Sequence, residues 1–138
     1  MATKKPNTKY RIAMLIDDNE IDNFINQKML EGTYFAEKIF VYSSGKSALE
    51  YFKNIEQDKQ LMKDLMPDFI FLDINMPVID GFQFLQAFQD INKKAGNPSK
   101  ICILTTSINP SDKLRSLENK LVINYVNKPL SEELLFTL

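Results

Sequence analysis

Phe69-Ile70-Phe71-Leu72-Asp73-Ile74-Asn75-Met76-Pro77-Val78-Ile79-Asp80-Gly81 holds a strand, a turn and a helix start in thirteen residues. Its first four residues are apolar without alternation. Such a run is a strand covered on both faces, the habit of parallel sheets. Asp73 ends it. Asn75, Pro77 and Asp80-Gly81 are turn formers. Phe84, Leu85, Phe88 and Ile91 then recur at helical spacing, until Ala95-Gly96-Asn97-Pro98 stops the helix.

The same unit repeats on either side. Ile12–Ile16 reads as a buried strand, followed by a helix whose inward face is expected to be Ile21, Phe24, Ile25 and Met29. Lys38–Tyr42 reads as a strand. Ser43-Ser44-Gly45 is a turn and cap, leading into a helix on Ala48, Tyr51, Phe52 and Ile55. Asp58 to Leu65 is charged, and either extends that helix or loops out. Ile101–Leu104 is the fourth strand. Asn109-Pro110 caps a fourth helix, with Leu114 and Leu117 expected inward. Leu121–Val126 is the fifth strand, and Ser131 caps a last helix of about two turns. Five strand-then-helix units predict an α/β fold, a doubly wound parallel sheet with helices on both faces. Residues 1–9 read as a flexible lead-in to one domain over residues 10–138.

Composition narrows the chemistry. The 138 residues are 44% apolar and 25% charged, a globular balance rather than a disordered one. With 17 basic and 18 acidic residues, no bulk charge points to nucleic acid or an anionic membrane. There is no histidine, which excludes an imidazole base, a Ser-His-Asp triad and any His-ligated metal. Cys102 is the single cysteine, so disulfides and cysteine zinc sites are excluded too. No export signal or membrane span is evident, and the expected location is the cytoplasm.

In a doubly wound sheet, ligands bind beyond the carboxyl ends of the strands. Those ends here carry Asp17-Asp18, Asp73, Thr105-Thr106-Ser107 and Asn127-Lys128-Pro129. A single Asp after a strand is ordinarily a turn or cap residue. Three on one rim with a lysine repel one another unless a cation or a reaction uses them. Oxygen ligands alone suit a hard cation, Mg²⁺ or Mn²⁺. Lys128 can supply a point charge to a phosphoryl oxygen and Thr105 a hydroxyl, while Asp73 can attack phosphorus to form an acyl phosphate.

Leu15-Ile16-Asp17-Asp18, the stretch Phe71 to Gly81, Leu104-Thr105 and Tyr125-Val126-Asn127-Lys128-Pro129, in that order, resemble the receiver domain of response regulators. The likeness runs from about Tyr10 to Leu138. It implies a flavodoxin-like sheet of order 2-1-3-4-5 and a stand-alone receiver of a two-component phosphorelay. Asp73 would accept a phosphoryl group from a phosphohistidine on a histidine kinase or histidine phosphotransfer protein. Asp18, Asp73 and the backbone carbonyl of Asn75 would ligate Mg²⁺, with Asp17 holding a metal-bound water. Thr105 and Lys128 would hold the phosphoryl oxygens. Thr105 and Tyr125 would form the switch, and Lys128-Pro129 would be a cis peptide. A downstream protein would bind the face made by the fourth helix, fifth strand and last helix, with no direct nucleic-acid contact and no membrane insertion. Three features depart from the family pattern: Thr106 where a small alanine is frequent, Asn119-Lys120-Leu121 in place of a Gly/Ala turn, and the short last helix. The other chemistry open to these residues is a Mg²⁺-dependent phosphohydrolase with Asp73 as nucleophile. Such phosphatases use an Asp-x-Asp pair, and Asn75 lacks the acid. The resemblance therefore implies a phosphoacceptor with slow autodephosphorylation rather than a turnover enzyme.

Overall fold

The computed structural model describes residues 7–138. Of the expected lead-in, residues 1–6 lie outside that span, and the Lys9 N–H donates to the Tyr34 carbonyl at 3.3 Å. Five strands form one parallel sheet: β1 (Tyr10–Ile16), β2 (Ala36–Tyr42), β3 (Phe69–Leu72), β4 (Lys100–Thr105) and β5 (Val122–Asn127), in the order β2-β1-β3-β4-β5. The helices are α1 (Glu20–Gly32), α2 (Gly45–Ile55), α3 (Lys59–Leu65), α4 (Gly81–Lys94), α5 (Pro110–Glu118) and α6 (Glu132–Thr137). The doubly wound α/β fold read from the sequence is the observed one. Among the described residues no helix is long and apolar enough to cross a membrane.

Strand side chains alternate between the two faces. Met14, Ile16, Ile70, Leu72, Ile101 and Ile103 join the apolar stripes of α2 and α4 in one core. Ala13, Leu15, Phe69, Phe71, Cys102 and Leu104 meet Leu30 of α1 and Leu135 of α6 in the other. Asp80 caps α4, accepting from the Gln83 N–H while the Gln83 side chain accepts from the Asp80 N–H. The charged stretch after α2 neither extends that helix nor stays irregular. Asp58 caps α3 by accepting from the N–H groups of Gln60 and Leu61, and a cap there ends one helix and starts the next.

Two helices differ from expectation. In α1, Ile21, Phe24 and Ile25 are 71%, 63% and 45% exposed, and the buried residues are Asn23, Asn26 and Leu30. The cause is hydrogen bonding to backbone groups outside the helix. Asn23 Nδ2 donates to the Asp17 carbonyl at 2.8 Å, and Asn26 Oδ1 accepts from the Leu130 N–H at 3.0 Å. Buried loop groups need partners, so the asparagines turn inward and Ile21, Phe24 and Ile25 turn out, while Met29 of the expected face packs against the core. In α5, Leu114 and Leu117 face solvent, and fully buried Ser116 lies against the sheet. Its hydroxyl is satisfied within the helix by the Asp112 carbonyl at 2.7 Å.

Candidate functional site

Ile16 of β1 and Leu72 of β3 are register partners, so the next residues out, Asp17 and Asp73, emerge side by side. The ladder carries on for one more bond, from the Asp73 N–H to the Ile16 carbonyl at 3.0 Å. Both aspartates are buried at the rim and Asp18 is exposed. One carboxylate oxygen from each of Asp17, Asp18 and Asp73 lies within 4.8 Å of the others.

Lys128 arrives from the far side. The Lys128 N–H bonds the Thr105 carbonyl at 3.0 Å, prolonging the β4–β5 pairing, and the Lys128-Pro129 peptide is cis, as anticipated. The ammonium reaches three carboxylates: Asp17 at 2.5 Å, Asp22 at 2.9 Å and Asp73 at 3.1 Å. Burial alone would depress its pKa. The hydrogen-bonded carboxylates of Asp17 and Asp22, with the charge of Asp73, outweigh that and raise it. Asp17 is pushed up chiefly by burial, with help from the Asp73 charge and against the lowering effect of Lys128 and the Asn19 N–H. The lysine therefore stays charged, and the acids crowd around it.

Not every predicted residue reaches this cluster. Thr105 is fully buried, and its hydroxyl oxygen accepts from the Ser107 N–H at 3.2 Å rather than meeting Asp73. The Tyr125 hydroxyl donates to the Ser107 carbonyl at 3.2 Å, and Asn127 Nδ2 donates to the same carbonyl at 3.1 Å. Thr106 is exposed beside them. The loop after β4 is thus tied to β5, one step from the carboxylates. Among the described residues the Asn75 carbonyl accepts no hydrogen bond, while the Asn75 N–H reaches Asp73 Oδ1 at a long 3.4 Å. Asp22 and Asn23 went unnoticed in the sequence. Their signal was position: both lie in the first turn after Asn19, whose side chain caps α1 at this rim.

The loop from Asp73 to Asp80 folds back tightly. The Gly81 N–H donates to the Ile74 carbonyl at 2.8 Å, and a Cβ on Gly81 would come within 2.5 Å of the Asp73 carbonyl oxygen and 2.8 Å of the Ile74 Cα. Both obstacles are backbone, so neither can swing aside. Gly81→Ala is expected to displace Asp73 and destabilise the fold by about 1–3 kcal/mol, the overpacking range. A urea melt measures the loss, and a midpoint equal to the wild type's would show that the turn has slack.

The donor set suits a hard cation. Mg²⁺ takes oxygen ligands at about 2.0–2.1 Å in an octahedron, so ligand oxygens around one ion lie roughly 3–4 Å apart. Three carboxylate oxygens within 4.8 Å of one another fit this after small side-chain movements, and no nitrogen or sulfur donor competes.

Comparison with known proteins agrees with this geometry. The family model of the response regulator receiver domain matches residues 13–138. The chain is 30% identical over 126 residues to the sensor histidine kinase CheAY of Helicobacter pylori, an alignment covering 91% of this chain and 14% of that kinase's length. It shares 30% identity and a TM-score of 0.78 with a two-component response regulator from Cytophaga hutchinsonii, with 92% of each chain covered. A 19% identical structure, the Mg²⁺-complexed receiver domain of the histidine kinase CKI1 from Arabidopsis thaliana, shares the fold at a TM-score of 0.76, over 92% of this chain and 89% of that one. With buried Asp73 facing Lys128 at the carboxyl rim of a 2-1-3-4-5 sheet, and the family match reaching all five strands, the chain belongs to the response regulator receiver domains of two-component signalling.

Proposed function

We propose that this protein is a phosphoacceptor switch in which Asp73 takes a phosphoryl group from a phosphohistidine donor. The observation that carries the reading is the placement of buried Asp73 beside two further aspartates and one shared ammonium. An Asp73 oxygen attacks phosphorus as the P–N bond to the donor imidazole breaks, and the imidazole leaves with the bonding pair and is protonated. Asp18, Asp73 and the Asn75 carbonyl would hold Mg²⁺, which when bound offsets the charge of the carboxylates and the incoming phosphoryl oxygens. Asp17 suits an outer role, because one of its oxygens accepts from the Asn19 N–H at 2.9 Å and the other meets Lys128. Lys128 moves its ammonium onto a phosphoryl oxygen. Thr105 releases the Ser107 N–H and donates its hydroxyl to another. Tyr125 and Asn127, bonded to the Ser107 carbonyl, carry that loop movement to β5. Asn75 supplies no acid for rapid hydrolysis, so the protein acts as an acceptor with slow autodephosphorylation rather than as a turnover phosphohydrolase. Incubation with acetyl phosphate and Mg²⁺ should add one alkali-labile phosphoryl group, detected by intact mass. No adduct under these conditions would refute the reading.

Two exposed apolar surfaces suit its partners. The outward stripe of α1, Ile21, Phe24 and Ile25, adjoins the acidic rim and fits the helical surface of a histidine kinase or phosphotransfer donor. Leu114 and Leu117 of α5 and Ile123 of the edge strand β5 are exposed, and suit a downstream protein bound at the α5–β5–α6 face. A donor kinase fuelled by ATP would place the pair in the cytoplasm. Phe24→Asp should slow transfer from a phosphohistidine protein by about tenfold or more, the loss typical of an interface hot spot. Its rate with acetyl phosphate should be unchanged, since that donor needs no docking. Equal slowing with both donors would show that the residue serves the site itself.

A further inference from the structure

An ammonium has three hydrogens to donate. Lys128 gives one each to Asp17, Asp22 and Asp73, so it has none left for a phosphoryl oxygen. Asp73 is the residue to be modified. Asp17 is buried, and its second oxygen is held by the Asn19 N–H. Asp22 differs from both. Its side chain is 28% exposed, it is outside the group of carboxylates that can share a cation, and it sits on α1 rather than on a strand end. It is the partner that Lys128 can release at least cost, because water can take over a partly exposed carboxylate.

We propose that Asp22 is a positioning residue that holds Lys128 in the unphosphorylated protein and gives it up to a phosphoryl oxygen once Asp73 is modified. The inference rests on the acceptor reading above. Asp22 thereby competes with the phosphoryl group for the same ammonium, and so sets how readily the modified state forms. An acid in the first turn of a helix also favours the helix dipole. Glu20 has that same dipole advantage without any contact to Lys128, and it separates the two roles.

Beryllofluoride with saturating Mg²⁺ imitates the phosphoryl group without turnover, and its binding is read by ¹⁹F NMR. Asp22→Asn should bind it about fivefold more tightly than wild type, the worth of one partly exposed ion pair. Glu20→Gln should leave the affinity unchanged, although both substitutions lower the melting temperature slightly. Asp22→Glu, which restores the charge, should return the affinity toward the wild-type value. If Asp22→Asn fails to fold, Asp22→Ser, which keeps a polar first turn, takes its place in the same comparison. Unchanged or weaker binding by the Asp22 variant overturns the proposal, as does an equal gain in Glu20→Gln. Absence of a bound signal in the wild type overturns the acceptor reading itself, and this proposal with it.

Discussion

Asp73→Asn is expected to abolish covalent phosphorylation. The amide oxygen is a poor nucleophile, and no other carboxylate takes its position: Asp17 has both oxygens occupied and Asp18 points from an exposed site. Intact mass after acetyl phosphate and Mg²⁺ should show the adduct in wild type and none in the variant, and equal incorporation would reassign the acceptor. The same substitution bears on stability. Asp17, Asp18 and Asp73 gather at one rim with a single ammonium beside them, so the folded state carries uncompensated negative charge that the unfolded chain disperses. Mg²⁺ should stabilise the wild type by RT ln(1 + [Mg²⁺]/Kd), about 1.4 kcal/mol at roughly tenfold over Kd. Asp73→Asn should melt higher than wild type in EDTA and respond less to Mg²⁺, because the ion and the mutation relieve the same repulsion. The gain is tempered by the loss of one acceptor for Lys128. Thermal melts of both proteins with EDTA and with Mg²⁺, at constant ionic strength, decide it. Identical wild-type melts in the two buffers would leave the aspartates without a cation-binding role.

Lys128→Ala should act in the opposite direction. Its side chain is 6% exposed and is the cation shared by Asp17, Asp22 and Asp73. Removing one partner of a buried ion pair costs about 3 kcal/mol or more, because the remaining charges stay desolvated. For a domain of this size that is a fall of about ten degrees in EDTA. Mg²⁺ should recover much of it, since the lysine is not a metal ligand in the proposed site and a second cation can take over its role. Phosphorylation should change partner binding much less than in the wild type, because the loop that Thr105 moves is then the one remaining route from the phosphoryl group to β5. A variant that melts like the wild type in EDTA would show that the ammonium does not hold the cluster together.

The strands were legible because buried parallel strands have a simple signature. The apolar run Phe69–Leu72 coincides with β3 to the residue, and Phe84, Leu85, Phe88 and Ile91 are buried as their spacing predicts. Periodicity assumes that the buried face of a helix is its apolar face. In α1 that assumption fails, because Asn23 and Asn26 answer backbone groups delivered by Asp17 and by Leu130, the second of these 104 residues away. No local window contains the second demand. In α5, a small residue packs close where two leucines were expected. The site shows the same division. Asp17, Asp18, Asp73 and Lys128 were visible as strand-end residues, and the structure brings them together. Asp22 was hidden because an acid in a first helical turn is ordinary, and the resting hydrogen bond of Thr105 depends on a loop whose course the sequence does not specify.

Residues near the two ends of the described chain meet: the Tyr10 hydroxyl donates to the Leu138 carbonyl at 3.0 Å, and Leu130 and Leu135 complete the core that contains Ala13, Leu15, Phe35 and Phe71. The opposite core takes its last side chains from β5, Val122 and Tyr125. The two faces of the sheet therefore differ in what they need from the C-terminal segment. The face floored by the stacked rings of Phe69 and Phe71, with Phe35 against both, stays wet until residues 131–138 dock. A chain cut after Leu130 should be compact yet bind the dye ANS strongly, and the 138-residue chain should not. While that segment is undocked the protein is most open to chaperones and to aggregation.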